Sequence, residues 1–147
     1  MGTMTEQERQ DFLADPHIGV LSVAGEEGRP PVSSPVFYAY QPGGDLTFFT
    51  NTQRRTSRKL TRIKETGTVT FVVQREAPPY AYVTVEGTVT SIDSPPTEEQ
   101  MLAITTRYMP EEHARGFIAG EFGDPESTLT VVTIRPDRWL TQDTGKA

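Results

Sequence analysis

The sequence predicts a single, mainly β domain: a small antiparallel β-barrel with helices at its rim. Three observations lead to this fold class. A length of 147 residues corresponds to one domain, so we treat residues 1–147 as a unit. About six short runs of strand-forming residues follow one another, separated by turn residues. Helical patterns are confined to a few short segments between these runs, which favours an antiparallel barrel over alternating β and α units.

The first predicted element is a short helix over 5–14, with Thr5 in position to cap it. The strands follow, and turns rich in Gly or Pro at 25–28, 41–44 and 77–79 separate successive runs. Each run is short and rich in Val, Thr or aromatic residues, which is typical of strands. The six predicted strands are 18–23, 32–40, 46–50, 68–73, 80–91 and 129–134.

Helical spacing of apolar residues recurs in two later segments. Residues 56–64 carry two apolar side chains on an otherwise basic stretch. Residues 97–120 are predicted to form two helices, and Thr97 with Gln100 forms the sequence pattern of a capping box at the start of the first. Pro110 suits the first position of the second helix, because its missing N–H has no partner there in any case.

Composition excludes several classes of protein. The net charge of −6 disfavours binding to a phosphate backbone, so we expect no nucleic-acid partner. The absence of Cys excludes disulfides and thiolate chemistry, and the two His residues lack metal-ligand spacing, so we expect no metal site. No apolar run approaches the ~20 residues that span a bilayer, and residues 1–16 do not resemble a signal peptide. We therefore expect a cytoplasmic protein without a membrane partner.

Positive charge is concentrated in one part of this acidic chain. Residues 51–75 contain seven Lys or Arg residues and one Glu, a net charge of +6, which leaves −12 on the remaining residues. A basic stretch is often only the solvated face of a helix. On an acidic protein, however, an isolated cationic region is better suited to a small anion than to a charged polymer.

The candidate anion site lies where a strand ends near Asn51 and a helix begins near Thr56 or Ser57. The first N–H groups of a helix have no partner within it, and the helix dipole places partial positive charge at the same end. Arg58 and Lys59 add further positive charge there, which is unfavourable unless an anion is bound. A phosphate could accept bonds from the backbone, the Ser57 hydroxyl and both basic side chains.

A second candidate feature is Pro35, which interrupts the predicted strand 32–40. Proline removes a ladder donor, so it occupies an edge strand, a bulge or a place where a ligand lies along the backbone. An edge strand is one interpretation. The alternative is that the flat ring of a ligand lies along residues 35–38, which include the aromatic residue Phe37, close to the candidate anion site.

These segments, in this order and spacing, resemble the pyridoxamine 5′-phosphate oxidase-like family of split β-barrel flavin and deazaflavin oxidoreductases. The resemblance covers about residues 6–92 and extends to the last predicted strand. It implies an FMN-binding type of split barrel and a homodimer with a coenzyme at the subunit interface. It implies that Thr50, Ser57 and Lys59 hold the coenzyme phosphate, with Arg58 in support and Asn51 beside them. It also implies that the backbone of Pro35, Val36 and Phe37 faces the coenzyme ring. We assign no acid–base catalytic residue.

The resemblance is incomplete at two points. The stretch 52–56 is longer than in the oxidase proper, and the oxidase's C-terminal substrate segment has no counterpart. Arg54 and Arg55 in the longer stretch could meet an anionic tail, which favours the deazaflavin coenzyme F-420 over FMN. The function expected is hydride transfer between F-420 and a small organic substrate. The alternatives are an FMN-dependent enzyme related to pyridoxamine phosphate oxidase, and a non-catalytic flavin- or haem-binding protein.

Overall fold

A computed structural model describes residues 1–146 as one curled antiparallel sheet with four helices. The strands follow the order β2-β1-β5-β6-β7-β4-β3 across the sheet, and every neighbouring pair is antiparallel. The predicted mainly β fold with peripheral helices is confirmed. The elements are α1 (Glu6–Ala14), β1 (Gly19–Val23), β2 (Val32–Val36), β3 (Tyr38–Tyr40), β4 (Leu46–Asn51), α2 (Arg58–Thr66), β5 (Thr68–Arg75), β6 (Ala81–Asp93), α3 (Glu98–Thr105), α4 (Glu111–Gly123) and β7 (Leu129–Asp143).

The run predicted as one strand over 32–40 is two strands, which corrects the expected number from about six to seven. Phe37 interrupts the run and separates β2 from β3. On one side of the break β2 pairs with β1, and on the other side β3 pairs with β4 at the opposite end of the sheet. Because one short segment supplies both ends of the sheet, the sheet must curl into a half-barrel.

The last strand is longer than predicted. It was expected to stop at residue 134, before Pro136, but β7 continues to Asp143. Pro136 lies opposite Gly87, at a position where the register between β6 and β7 shifts. The register leaves Asp137 unpaired, so Pro136 directly precedes the extra residue of a β-bulge, which is a place where a strand accommodates proline.

Two apolar clusters hold the fold together. The larger fills the inside of the curl, where α1 and α2 close it. The smaller lies between α3, α4 and the start of β7. Buried members of the larger cluster include Leu13, Leu21, Tyr38, Phe48, Ile63 and Phe71, and the smaller contains Met101, Ile104, Ile118, Leu129 and Val131.

Helix boundaries follow local capping. The predicted cap at Thr5 and the capping box of Thr97 with Gln100 are both confirmed. Ser57, not Thr56, is the N-cap of α2, so this helix begins at Arg58. Pro110 is the N-cap of α4 and so lies one position before the place predicted for it. Within residues 1–146 no helix is long and apolar enough to cross a membrane.

Candidate functional site

A cleft of about 440 Å³ opens where the break between β2 and β3 meets the end of β4 and the start of α2. It contains six of the ten residues predicted for coenzyme binding, although they come from three separate parts of the sequence. The sheet brings them together because β2, β3 and β4 meet at the seam of the half-barrel. The lining residues are Ile18, Ser34, Pro35, Val36, Phe37, Phe49, Thr50, Asn51 and Lys59.

Among the described residues, Lys59 is the single charged one that lines this cleft. Its side chain is half-buried, and its Nζ donates to Ser34 Oγ at 3.3 Å. Within the described residues it forms no ion pair. Burial lowers its pKa below the usual 10.5, because an ammonium group is poorly solvated there. A bound anion would stabilise the charged form and reverse this shift.

Ser57 and the start of α2 add hydrogen-bond donors beside Lys59. The Ser57 hydroxyl oxygen accepts the N–H of Leu60 at 3.2 Å, which leaves the hydroxyl proton available to a ligand. The first helical backbone bond runs from Thr61 N–H to Ser57 O, so the N–H groups of Arg58 and Lys59 precede the ladder. No acidic residue occupies the first turn to offset the dipole.

Arg58 lies elsewhere. Its guanidinium group contacts Glu26 in the turn between β1 and β2, with Nη2 2.9 Å and Nε 3.1 Å from Oε2. This contact lowers the pKa of Glu26 to about 2. Arg58 therefore stands outside the lining of the cleft, and its side chain joins α2 to the turn.

The loop 52–57 directly follows the cleft residue Asn51 and carries Arg54 and Arg55, whose side chains are exposed and lie outside the lining of the cleft. Its backbone is left-handed at two successive residues, with φ of 50° at Gln53 and 57° at Arg54. Each such residue costs about 1–2 kcal/mol when it is not Gly. The loop must therefore be held by other contacts, and Arg54 N–H donates to Thr128 Oγ1 at 3.1 Å as one of them.

The side chain of Asn51 supports this loop and attaches its start to α4 and to the residues before β7. Its Oδ1 accepts the N–H groups of Gln53 and Thr128, each at 2.9 Å. Its Nδ2 donates to Glu121 Oε2 at 2.7 Å and to Ser127 Oγ at 3.0 Å. The amide thus uses its full hydrogen-bonding capacity within the protein. Asn51 lines the cleft, but its polar atoms are engaged in holding the loop.

An aromatic stack supports the other side of the cleft. The ring of Phe37 lies 4.2 Å from that of Tyr108, nearly parallel to it, and 6.2 Å from that of Phe49, edge to face. The Tyr108 hydroxyl accepts Tyr38 N–H at 3.1 Å and donates to His17 O at 2.6 Å. Tyr108 therefore fixes both the ring of Phe37 and the backbone that follows the break.

Sequence reasoning missed several residues of the site. Ser34 directly precedes Pro35 in the segment singled out from the sequence, but it was not among the residues predicted to bind the coenzyme. Tyr108 and Glu121 have no local signal, because each lies 70 residues from its partner at the cleft. Tyr108 lies in the turn between α3 and α4, and Glu121 lies on α4.

Comparison with known families matches this geometry to one of them. A family model described as pyridoxamine 5′-phosphate oxidase matches residues 5–143. The chain belongs to the pyridoxamine 5′-phosphate oxidase family. Members of this family are flavin-binding oxidoreductases with the split-barrel fold, so the resemblance inferred from the sequence is confirmed at this level.

Solved structures support the same fold. An F-420 reductase is 25% identical and aligns over 89% of this chain and 94% of its own, with a TM-score of 0.66. A conserved hypothetical protein from Mycobacterium tuberculosis is 18% identical over 97% and 86%, with a TM-score of 0.71. General Stress Protein 26 from Bacillus anthracis is 19% identical over 92% of each chain, with a TM-score of 0.61. A search of curated protein sequences found no significant match.

Proposed function

We propose that this protein is an oxidoreductase that binds the deazaflavin coenzyme F-420 in the cleft and transfers hydride to a small organic substrate. The observation that carries the proposal is Lys59: a half-buried cation, without an ion pair in the described residues, at the start of a helix and beside an apolar wall. Such a cation is expected where a ligand supplies the negative charge.

The residues of the cleft suit a molecule that carries both a flat ring and a phosphate. Pro35, Val36 and Phe37 form an apolar wall, and Lys59, whose Nζ donates to Ser34 Oγ at 3.3 Å, provides a charged donor beside it. Ser57, the N-cap of α2, lies two residues before Lys59 and outside the lining. When bound, the coenzyme supplies the hydride chemistry. Among the described residues that line the cleft, Lys59 is the only one with an ionisable side chain, so the protein's contribution is to bind, orient and exclude water.

Two observations favour F-420 over FMN. Arg54 and Arg55 are exposed on the loop between the cleft residues Asn51 and Lys59, from which they could contact an anionic tail that continues beyond the phosphate. In addition, the F-420 reductase aligns over nearly all of this chain at 25% identity.

FMN is the second candidate coenzyme, and one observation favours it. The cleft has a single charged lining residue, which is sufficient for a molecule that ends at its phosphate. The protein would then be an FMN-dependent enzyme on the same barrel, and Arg54 and Arg55 would have no role in binding.

We further propose that the protein is a homodimer, because an apolar row crosses the outer face of the sheet. The paired positions Pro35, Val20, Val72, Thr84 and Leu140 lie side by side on five strands. Val20 is 37% and Leu140 59% exposed, and Ile18, 47% exposed, continues the row into the cleft. A second copy on this face would cover the row and close the open side of the cleft.

Coenzyme titration tests the proposed function. The purified protein is titrated separately with F-420, FMN and haemin, and binding is followed by absorption and fluorescence. We expect the tightest binding for F-420, and oxidation of reduced F-420 when a panel of small organic acceptors is added. Tighter binding of FMN would support the second candidate. Binding of a flavin or haem with no turnover on any acceptor would indicate a non-catalytic binding protein and contradict the proposal.

A further inference from the structure

We propose that Glu121 on α4 is a positioning residue that sets the conformation of the loop 52–57 by fixing the orientation of the Asn51 amide. The inference deepens the proposed function, because this loop carries Arg54, Arg55 and the cap Ser57 next to the cleft. Glu121 itself lies outside the cleft lining and acts through Asn51.

The chemistry of the groups around Asn51 allows only one orientation of its amide. A carboxylate only accepts hydrogen bonds, so Glu121 Oε2 must face the NH₂ group of Asn51, and the two are 2.7 Å apart. On the opposite side, the N–H groups of Gln53 and Thr128 only donate, so they must face Oδ1. Rotating the amide by half a turn would place donors against donors and an acceptor against an acceptor.

Ser127 strengthens the same arrangement. Its hydroxyl donates to Glu121 Oε2 at 2.6 Å, so its oxygen is left to accept from Asn51 Nδ2 at 3.0 Å. Glu121 therefore orients the hydroxyl of Ser127 as well as the amide of Asn51. These contacts join α4 and the turn before β7 to the end of β4.

The loop depends on this orientation because its backbone is unfavourable by itself. Gln53 and Arg54 are both left-handed, and the bond from Gln53 N–H to Asn51 Oδ1 is formed inside this turn. The bonds from Thr52 N–H to Thr128 O and from Arg54 N–H to Thr128 Oγ1 attach the loop to the same short segment. If the amide of Asn51 were free to rotate, the segment at Thr128 and the turn at Gln53 would both lose their acceptor.

The test compares Glu121→Met, which removes both carboxylate oxygens at similar size, with Glu121→Gln, which keeps one oxygen. Glu126→Met is the matched control, because it removes an exposed carboxylate from the same region. Amide exchange of Gln53 and Thr128 is measured by NMR without coenzyme, and dissociation constants for F-420 and FMN are measured separately. Thermal unfolding establishes that each variant is folded.

We expect Glu121→Met to increase exchange at both amides and to weaken binding of the preferred coenzyme by up to about tenfold, the effect of losing one hydrogen bond that holds the loop. Glu121→Gln should recover most of the loss, and Glu126→Met should behave as wild type. Unchanged exchange in Glu121→Met would overturn the inference, and so would faster exchange with unchanged affinity. If Glu121→Met does not fold, Ser127→Ala, which removes one of the two acceptors of Asn51 Nδ2, must show the same two effects in weaker form.

The experiment distinguishes a failure of the proposed function from a failure of the inference about Glu121. If the wild-type protein bound neither coenzyme, the proposed function would be wrong, whereas the exchange measurements, made without coenzyme, would still decide whether Glu121 orients Asn51.

Discussion

At the residue scale, the side chain on which the proposed coenzyme site most depends is Lys59. We predict that Lys59→Met weakens coenzyme binding by roughly ten- to a hundredfold, because one charge-assisted hydrogen bond to phosphate, worth about 1.5–3 kcal/mol, is lost. Stability should be unchanged or slightly higher, since a half-buried charge is replaced by an apolar chain of similar length.

The measurement is titration by absorption or fluorescence with wild type, Lys59→Met and Lys64→Met. Lys64 is exposed in the last turn of the same helix, so Lys64→Met is a control for loss of a positive charge from α2. Equal affinities for wild type and Lys59→Met would place the phosphate elsewhere.

Also at the residue scale, His17 makes the stability of the protein depend on pH. Its ring stacks on that of Phe12, with centroids 4.5 Å apart. Burial lowers the pKa of His17 below the usual 6.5. The positive charges of Arg75 and Arg107 lower this pKa further, whereas the negative charge of Asp15 opposes the shift. Below pH 6.5 the unfolded chain therefore binds more protons than the folded one, and the free energy of unfolding falls as pH falls.

We predict that His17→Phe, which keeps a stacked ring but does not titrate, reduces this loss of stability between pH 7 and the lowered pKa. Chemical denaturation over a pH series is the measurement. His113→Phe, on the exposed side of α4, should keep the wild-type slope. If the His17→Phe slope matched that of wild type, the burial of His17 would not be the cause.

At the element scale, the loop 52–57 is expected to distinguish the two coenzymes. We predict that Arg54→Ala/Arg55→Ala weakens F-420 binding much more than FMN binding, because FMN ends at its phosphate. The loss should shrink at high salt, since exposed charges are screened beyond about 8–10 Å at physiological ionic strength.

Dissociation constants for both coenzymes at low and high salt are the measurement, with Arg29→Ala, an exposed residue in another turn, as control. Equal losses of affinity for the two coenzymes would show that these arginines do not bind a longer anionic tail.

The bulge between β6 and β7 gives a stability prediction at the same scale. A Cβ on Gly87 would lie 2.4 Å from Ile134 Cγ2 and 2.8 Å from Arg135 O. We therefore predict that Gly87→Ala lowers the free energy of unfolding by about 1–3 kcal/mol. Gly120→Ala in α4 is the matched control, because a Cβ there contacts nothing within 4 Å and helical Ala is favoured over Gly by about 0.5–1 kcal/mol. Urea unfolding that showed the same sign for both variants would contradict the steric argument.

At the scale of the whole molecule, the outer face of the sheet is expected to join two chains. We predict a mass of about twice 16.3 kDa by light scattering at micromolar concentration, and a shift to the monomer in Leu140→Glu, which places a charge in the apolar row. Gln41→Glu, in the turn between β3 and β4, should remain dimeric. A monomeric wild type would remove the dimer from the proposal, and an unaffected Leu140→Glu would place its interface on another face.

Local features of this protein could be predicted from the sequence because they depend on residues that are close along the chain. The capping boxes at Thr5 and Thr97 involve residues three positions apart, and strand-forming runs are recognised within a few residues. The order and spacing of the segments carried the resemblance to the split-barrel family, and that resemblance implied most of the residues that line the cleft.

Only the tertiary structure decided how these segments meet. The run 32–40 divides at Phe37 because each half finds a different neighbouring strand when the sheet curls. Arg58 pairs with Glu26 instead of facing the cleft, since the turn after β1 comes to lie beside α2. The contacts of Asn51 with Glu121 and of Tyr38 with Tyr108 each join residues 70 positions apart. Such contacts form only after the barrel has brought α3 and α4 to the seam, so no local pattern in the sequence encodes them.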